Sequence, residues 1–382
     1  MTALLGDGRR DQLTLVQKII SINWTLVLLL TALAAFGLTM LYSAGGGSME
    51  PWASRQLVRF GIGMALMLTV AVIDIRIWLR FAYVAYAIGV LLLVAVEVKG
   101  SVGMGAQRWL DLGVVQLQPS EVMKIAVVMA LARYFHSATV EDARGYVFLI
   151  PPILIALLPV ALIVKQPDLG GALTVLMLTA AMLWLVGVRW WKFALAFSAV
   201  VASGPIAWNF LRDYQKARIL VFLDPGRDPL GAGYHIIQSK IALGSGAIFG
   251  KGFLEGTQSH LNFLPEKQTD FIFTMLAEEF GMVGSLGLLG LYFLLFAYGY
   301  AIAFRSVNHY GRLVAMGIVT SVFLSVFINV AMVMGLIPAK GMALPMVSYG
   351  GTSMVVTMIG FGMLINVWVH RDVRMGRHGS DD

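Results

Sequence analysis

Long uninterrupted apolar blocks constrain this chain more than any other feature of its sequence. Most of them are near the roughly 20 residues that a helix needs to cross the hydrocarbon core of a bilayer. The blocks lie at Trp24–Tyr42, Leu57–Ile73, Ile77–Val96, Val122–Tyr134, Val147–Val164, Gly170–Val188, Phe193–Leu211, Phe271–Phe304, Leu313–Leu336 and Met354–Val369. We therefore predict an all-α polytopic integral membrane protein with about ten transmembrane helices.

Two of the blocks differ in length from a simple span. Val122–Tyr134 is short, so the polar turn beside it must lie at membrane depth. Phe271–Phe304 is too long for one straight span, and Gly281 and Gly284 are the expected places for a bend.

The composition excludes most soluble classes of protein. Of the 382 residues, 58% are hydrophobic and only 13% are charged, with a mean hydropathy of +0.80. A globular domain usually has about a quarter of its residues charged. The chain has no cysteine, which excludes a disulfide framework and thiolate chemistry and argues against a structural zinc site.

Basic residues concentrate on one side of the predicted spans, which sets the orientation. With the N-terminus inside, the opposite side holds only Arg55, Lys99, Arg108, Lys165 and Lys340 in its short loops. The formal charge of +7 is therefore mainly an orientation signal, and no nucleic-acid partner is expected because no basic stripe interleaves with aromatic residues. We expect one membrane domain over 1–382, with cytoplasmic ends at 1–21 and 370–382.

The largest connection between spans is residues 212–270, which this orientation makes a periplasmic loop between spans 7 and 8. A loop of this length inside a compact domain is usually functional or disordered, and its aromatic residues and Asp-Pro turns favour order. The segment Tyr234–Ile248 is amphipathic and is expected to form an interfacial helix on the membrane surface.

The most informative residues are charges that lie within or beside the spans, where charges are costly and usually functional. Pro119 and Ser120 predict a helix start with serine as the N-cap. Glu121 and Lys124 then share one face of the fourth span, three residues apart. They are either a self-contained ion pair or a pair that contacts substrate, and the sequence leaves both interpretations open.

Basic and polar residues of the adjoining loops form further candidate sites. Arg108 and Trp109 precede the fourth span, where the tryptophan is equally typical of an interfacial anchor. In the segment Lys165 to Gly171, the side chain of Asp168 is expected to cap the following helix. Arg218 belongs to a cationic group that suits a phosphate, although solvated loop charges or attraction to anionic lipids explain it equally well.

Asp270 stands where the polar loop becomes a span, immediately before three apolar residues. A carboxylate against an apolar wall tends to have a raised pKa, which suits a general base, but the same position suits a helix N-cap. Glu278 lies two turns further along the same face. The segment from Pro338 to Ser353 is expected to form a re-entrant loop that closes a site.

These segments together resemble the SEDS family (shape, elongation, division and sporulation) of bacterial membrane proteins. The motifs are QPSEVMK, KQPDLGG, the Arg218/Asp224-Pro225 turn, LPEKQTDFIF and PMVSYGGTS, in the family's order. The short termini and the INWTLVLLLTALAAFGLTMLYSA opening are more similar to the RodA elongation branch than to the FtsW division branch. Many relatives have histidine where this chain has Gln268, so no catalytic role is expected at that position.

The resemblance implies a peptidoglycan glycosyltransferase that polymerises lipid II on the periplasmic face of the bacterial inner membrane, for cell elongation and rod shape. Its partner would be a class B penicillin-binding protein of the elongation complex. The family's catalytic aspartate falls on Asp270. The expected substrate-binding residues are Glu121, Lys124, Arg108, Trp109, Asp168, Lys165, Arg218, Ser348, Tyr349 and Ser353. A divalent cation, Mg²⁺ or Mn²⁺, is an option on the phosphates; no organic cofactor is expected.

Alternative functions predict a different placement of charge. A lipid II flippase needs polar groups through the full depth of the membrane, whereas the intramembrane charges here crowd the half that faces outside. A non-catalytic scaffold for cell-wall partners would not require Asp270 at a membrane edge. A division polymerase of the FtsW type remains the alternative within the family.

Overall fold

The computed structural model describes residues 14–103, 106–111, 116–138, 145–210, 213–228, 231–261, 263–264, 266–338 and 341–376. The α-helices in these ranges are α1 Leu15–Ile20, α2 Trp24–Ala44, α3 Ala53–Val72, α4 Ile75–Lys99, α5 Pro119–His136, α6 Ile150–Lys165, α7 Leu169–Leu185, α8 Trp190–Phe210, α9 Asp213–Leu223, α10 Ala232–Ser245, α11 Thr257–His260, α12 Ile272–Arg305, α13 His309–Val333 and α14 Gly351–Val369.

Among the described residues, seven helical segments are long and apolar enough to cross a membrane, which confirms a multi-pass membrane protein. They are α2, α3, α4, α6 with the 3₁₀ turn before it, α12, α13 and α14. Helices α5, α7 and α8 stand at the other three predicted positions, and α7 is apolar but only 17 residues long. The number ten stays a prediction.

Side-chain caps fix the start of several helices. Asn23 accepts a hydrogen bond from Leu26 N, and Asp74 accepts one from Arg76 N. The predicted serine cap of α5 is wrong: the N-cap is Gln118, Pro119 is the first helical residue, and Ser120 is the second. Proline suits this position because its missing N–H would have no intrahelical partner there.

A small antiparallel sheet joins α4 to α5 and is a feature that the all-α prediction missed. Its strands are β1 Ser101–Gly103, β2 Ala106–Asp111 and β3 Gln116–Leu117, in the order β1-β2-β3. Thr352 in α14 connects the sheet to the bundle, since its hydroxyl donates to Gln116 O and accepts from Gln118 N. The sheet thus fixes the segment that carries Arg108.

Helices α5, α13 and α14 form the most buried part of the bundle. Small residues allow close helix contacts, as expected where packing rather than water drives association. An added Cβ at Gly317 would lie 2.6 Å from Val128, and one at Gly37 would lie 2.7 Å from the Val347 backbone. We call the end where α5, α7, α12 and α14 begin the site end, and the opposite end the tail end.

Helix α12 is interrupted at Gly281, whose φ of 64° and ψ of −158° are not helical. The bend predicted at Gly281 or Gly284 therefore lies at the first of the two. The segment 247–252 supplies the backbone partners that the interruption leaves open. Lys251 N and Gly252 N donate to the carbonyls of Glu278 and Glu279, and two α12 amides donate back to the same segment. The bend is thus fixed by the long loop rather than free to flex.

Candidate active site

Asp270 lies just before α12 and does not cap it. The N-cap of α12 is Phe271, which makes no side-chain capping bond, so the N-cap interpretation of Asp270 is wrong. Its Oδ2 instead lies 3.0 Å from the position that a Cβ would take at Gly341. Gly341 has a φ of 67°, which favours glycine, and it lines the cavity described below. Asp270 is not itself among the lining residues, so its carboxylate lies at the edge of the cavity, next to the wall at Gly341.

The surroundings of Asp270 favour its protonated form. Burial, which penalises the charged carboxylate, and to a smaller extent the negative charge of Glu266 together raise the pKa of Asp270 to about 6. Glu266 Oε2 itself accepts hydrogen bonds from Thr269 Oγ1 at 2.9 Å and Gln268 Nε2 at 3.4 Å. A carboxylate of this kind is poised to exchange a proton close to neutral pH.

The backbone that carries Asp270 is attached to the segment just before α14. Ser348 Oγ donates to Thr269 O at 2.6 Å, and Tyr349 N donates to Gln268 O at 2.8 Å. Asn329, fully buried in α13, donates through Nδ2 to Asp270 O at 3.0 Å and also to Met342 O. The aspartate and the wall of the cavity therefore form one hydrogen-bonded unit.

A cavity of about 110 Å³ opens beside this unit, with room for several water molecules. It lies among α5, α7, α13, α14 and the residues just before α14. Its lining includes two basic side chains, two acidic side chains and several hydroxyl groups. The polar lining residues are Arg108, Gln118, Ser120, Glu121, Lys124, Asp168, Thr174, Ser321, Ser325, Ser353 and Thr357.

Glu121 and Lys124 both face the cavity and also bind each other. Lys124 Nζ lies 2.8 Å from Glu121 Oε2, and their side chains are 17% and 10% exposed for the glutamate and the lysine. Proline at the first helical position and the i, i+3 spacing place both side chains near the start of α5. The pair is thus internally satisfied and at the same time available to a bound molecule.

Two further predicted residues reach the cavity from neighbouring segments. Arg108 Nη2 donates to Pro167 O, which fixes the guanidinium of β2 against the start of α7. Asp168 caps α7 as predicted, since its Oδ1 accepts from Gly171 N at 2.9 Å. A Cβ at Gly171 would lie 2.5 Å from Asp168 Oδ2, so glycine leaves room for the capping carboxylate.

Other predicted substrate-binding residues lie away from the cavity. Lys165 is exposed and pairs with Glu97 at 3.5 Å. Trp109 lies in β2 outside the cavity lining. Ser348 and Tyr349 hold the Asp270 backbone, as described, whereas Ser353 does line the cavity. The side chain of Arg218 falls outside the described residues.

Glu278 is a buried carboxylate, as the sequence predicted, and it organises the loop before Asp270. Its Oε1 accepts from Lys251 Nζ and Gln258 N, each at 2.8 Å. Ser259 donates to Oε2 through both its amide and its hydroxyl at 3.2 Å. Lys267 Nζ then donates to Ser259 O at 2.8 Å, which links this clamp to the segment that ends at Asp270.

Sequence reasoning missed several polar residues that matter to the site. Asn329 holds Asp270, and Ser321, Ser325 and Thr357 line the deep part of the cavity. The available signal was a polar side chain inside an apolar span, which usually faces a cavity or a partner. Single hydroxyl residues are common in membrane helices, so this signal does not separate lining residues from those that bond their own helix.

The cavity closes toward the tail end. Its deepest lining residues include Val128, Ile318 and Gly360. Beyond them the described helices are packed, with Met129 to Ala132 of α5 and Leu313 to Gly317 of α13 all buried. The polar groups therefore open to one side of the bundle only, which favours chemistry at the site end over passage through the protein.

The described residues offer few ligands for a metal ion that protein side chains alone would hold. Across the residues with described positions, no three His, Cys, Asp or Glu side chains come together as a metal site. The arrangement offers a poised carboxylate at the edge of a cavity and cationic groups inside it. Such a site can accept a proton from one group while stabilising negative charge that develops on another.

Comparison with known proteins gives consistent matches over nearly the whole chain. The family model described as cell cycle protein (FTSW_RODA_SPOVE) matches residues 23–373. The peptidoglycan glycosyltransferase MrdB of Escherichia coli strain K12 is 44% identical over 351 residues, covering 91% of this chain and 93% of MrdB.

Two solved structures match the fold of this chain over nearly its whole length. One described as "Structural coordination of polymerization and crosslinking by a peptidoglycan synthase complex" superposes with a TM-score of 0.79 at 34% identity, covering 92% of this chain and 98% of the other. The rod shape determining protein RodA of Thermus thermophilus superposes with a TM-score of 0.70 at 29% identity, covering 92% and 98%.

Proposed function

The chain belongs to the FtsW/RodA/SpoVE family of cell cycle proteins, and we propose that it is a peptidoglycan glycosyltransferase that polymerises lipid II. The observation that carries this proposal is the poised carboxylate of Asp270 at the edge of a cavity that contains Lys124 and Arg108. The similarity to MrdB and RodA favours the elongation branch. A division polymerase of the FtsW type is the alternative within the same family.

The reaction is one displacement with inversion. The donor sugar is α-linked to undecaprenyl pyrophosphate, and the product linkage is β-1,4. The 4-oxygen of the acceptor's N-acetylglucosamine attacks the anomeric carbon while the bond to pyrophosphate breaks and its electron pair leaves with the phosphate. Asp270 accepts the proton of the attacking hydroxyl. Its pKa of about 6 leaves it ionised at neutral pH yet basic enough to act.

The leaving pyrophosphate needs charge neutralisation rather than a proton. Lys124 and Arg108 are the cations that line the cavity, and an arginine can bind a phosphate through two parallel hydrogen bonds. Glu121 holds the Lys124 ammonium in place between turnovers. These fixed charges line a cavity enclosed among helices, where electrostatic stabilisation is stronger than in bulk water.

A divalent cation on the phosphates stays a proposal. In the described ranges no cluster of three potential ligands exists, so such an ion would be held mainly by the pyrophosphate oxygens. No step of the mechanism above is assigned to it.

The proposed setting is the bacterial inner membrane with the site end facing the periplasm. The distribution of basic residues supports this orientation. We propose a class B penicillin-binding protein as the partner, which crosslinks the glycan that this chain extends. The fold shared with a peptidoglycan synthase complex supports this assignment.

The test is reconstitution with labelled lipid II, with and without the penicillin-binding partner. A polymerase converts lipid II into glycan strands in detergent and in vesicles. A flippase moves lipid II across vesicles and makes no polymer. Translocation without polymer, with the partner present, would contradict the proposed function.

A further inference from the structure

Arg59 is a charged residue inside α3, a helix that is long and apolar enough to span a membrane. It lies six residues after the first residue of α3, or about 9 Å along the axis at 1.5 Å per residue. Its neighbours Val58 and Ile62 are 63% and 53% exposed, so this side of the helix lies on the surface of the bundle. A charge at this depth is costly unless it meets a partner.

No acidic partner accompanies Arg59 among the residues that the structure describes. The guanidinium carbon lies 4.6 Å from the ring centroid of Tyr349, which provides a cation–π contact. Its Nη1 is nevertheless buried without a hydrogen-bond partner. The nearest acid in the sequence, Glu50, accepts a hydrogen bond from Ser54 instead. A guanidinium has five N–H donors and remains charged, so the buried Nη1 of Arg59 is a donor that lacks an acceptor.

The place of the guanidinium makes it accessible to a lipid head group. The side chain is only partly buried, and it lies at the seam between α3 and the start of α14. A Cβ at Gly351 would lie 3.3 Å from the guanidinium carbon of Arg59, so glycine permits the guanidinium to approach the start of α14 closely. Helical side chains lean toward the N-terminus of their helix, which for α3 is the site end. Arg59 therefore points toward the head-group layer.

We infer that Arg59, supported by the ring of Tyr349, binds the phosphate group of a membrane lipid in the leaflet at the site end. Phosphate oxygens supply the missing acceptors, and the planar guanidinium matches them two at a time. Arg59 does not line the cavity that holds Lys124, so this is a separate site. Its binding does not rest on the proposed function.

The site is connected to the catalytic loop. Tyr349, which lies under the guanidinium, donates its backbone N–H to Gln268 O at 2.8 Å, two residues before Asp270. A bound phosphate would therefore restrain the segment that holds the proposed base. The phosphate has two possible sources, a polyprenyl pyrophosphate or a glycerophospholipid of the same leaflet.

Lipid binding to the purified full-length chain, measured by native mass spectrometry, tests the inference. Undecaprenyl pyrophosphate and phosphatidylglycerol are titrated separately, with diacylglycerol as the phosphate-free lipid. Arg59→Met should weaken binding of a phosphate lipid by about tenfold or more, the effect of losing one charge-assisted hydrogen bond. Arg59→Lys should retain part of the affinity, and diacylglycerol should be unaffected.

The control is Arg305→Met, which removes a guanidinium that lies 5.5 Å from the Trp368 ring at the tail end. Loss with undecaprenyl pyrophosphate alone assigns the site to substrate or product, and loss with both lipids assigns it to lipid phosphates in general. Unchanged affinity for both lipids in Arg59→Met, or an equal loss in Arg305→Met, would overturn the inference. If Arg59→Met does not fold, Arg59→Gln gives the same comparison with a neutral polar side chain.

Discussion

At the scale of single residues, a proton acceptor that works near neutral pH must be held where its charged form is poorly solvated. Asp270 meets this condition through burial, and the charge of Glu266 adds to the effect. Hydrogen bonds from Asn329, Ser348 and Tyr349 fix the backbone around the carboxylate rather than the carboxylate itself. The side chain therefore remains available to substrate.

The raised pKa predicts how polymerisation depends on pH. Asp270 must be ionised to accept a proton, so kcat/KM should rise as the pH increases through about 6. Glu266→Gln removes a negative charge that opposes ionisation of Asp270, so the rise should move to lower pH. Glutamine keeps an acceptor for Thr269. Initial rates of lipid II polymerisation across pH measure both profiles, and an unmoved profile in the variant would exclude Glu266 from tuning the base.

At the scale of structural elements, the long loop and the bend in α12 stabilise each other. Segment 247–252 supplies backbone partners to α12 around Gly281, and the Glu278 carboxylate collects donors from Lys251, Gln258 and Ser259. A fully buried carboxylate is stable only when its oxygens are satisfied in this way. The position of Asp270 thus depends on contacts about two to three turns further along the chain in α12.

Glu278→Gln should loosen this loop. Removing one member of a buried pair costs about 3–5 kcal/mol, and glutamine keeps one acceptor, so the lower end is expected. Limited proteolysis or hydrogen exchange of residues 247–261 measures the effect as faster cleavage or exchange. Glu97→Gln is the matched control, because Glu97 and Lys165 form an exposed pair worth less than about 1 kcal/mol. Equal protection in both variants would show that Glu278 does not hold the loop.

The sequence correctly predicted the features that depend on the length of the apolar segments and on residues that interrupt or cap a helix. The apolar blocks, the interruption at Gly281 and the Asp168 cap are of this kind. It missed the three short strands around Arg108, because two- to six-residue strands carry little periodic signal. It also could not separate Ser353, which lines the cavity, from Ser348, which bonds Thr269, since this difference depends on tertiary contacts.

At the scale of the whole molecule, all the polar features of the site gather at one end of an apolar bundle. The cavity closes toward the other end, where α5 and α13 are packed. The basic residues of the sequence concentrate at that other end, which favours a cytoplasmic location for it. This polarity suits an enzyme that receives a lipid-linked sugar from the membrane and releases a polymer on the outside.

The orientation can be tested directly because the chain has no cysteine. Single cysteines at Ser48, exposed between α2 and α3, and at Val307, exposed between α12 and α13, report the site end and the tail end. A membrane-impermeant maleimide should label Ser48→Cys in cells with an intact inner membrane, and Val307→Cys only after that membrane is permeabilised. The reverse pattern would place the site end in the cytoplasm.

The most direct test of the central claim is the rate of lipid II polymerisation by purified Asp270→Asn protein in the presence of its penicillin-binding partner. Glu255→Gln, an exposed carboxylate of the same loop, is the control. Loss of a positioned base predicts a rate at least about 100-fold lower in Asp270→Asn, with unchanged folding and full activity in the control. A rate in Asp270→Asn close to that of the wild type would contradict the role of Asp270 as the base.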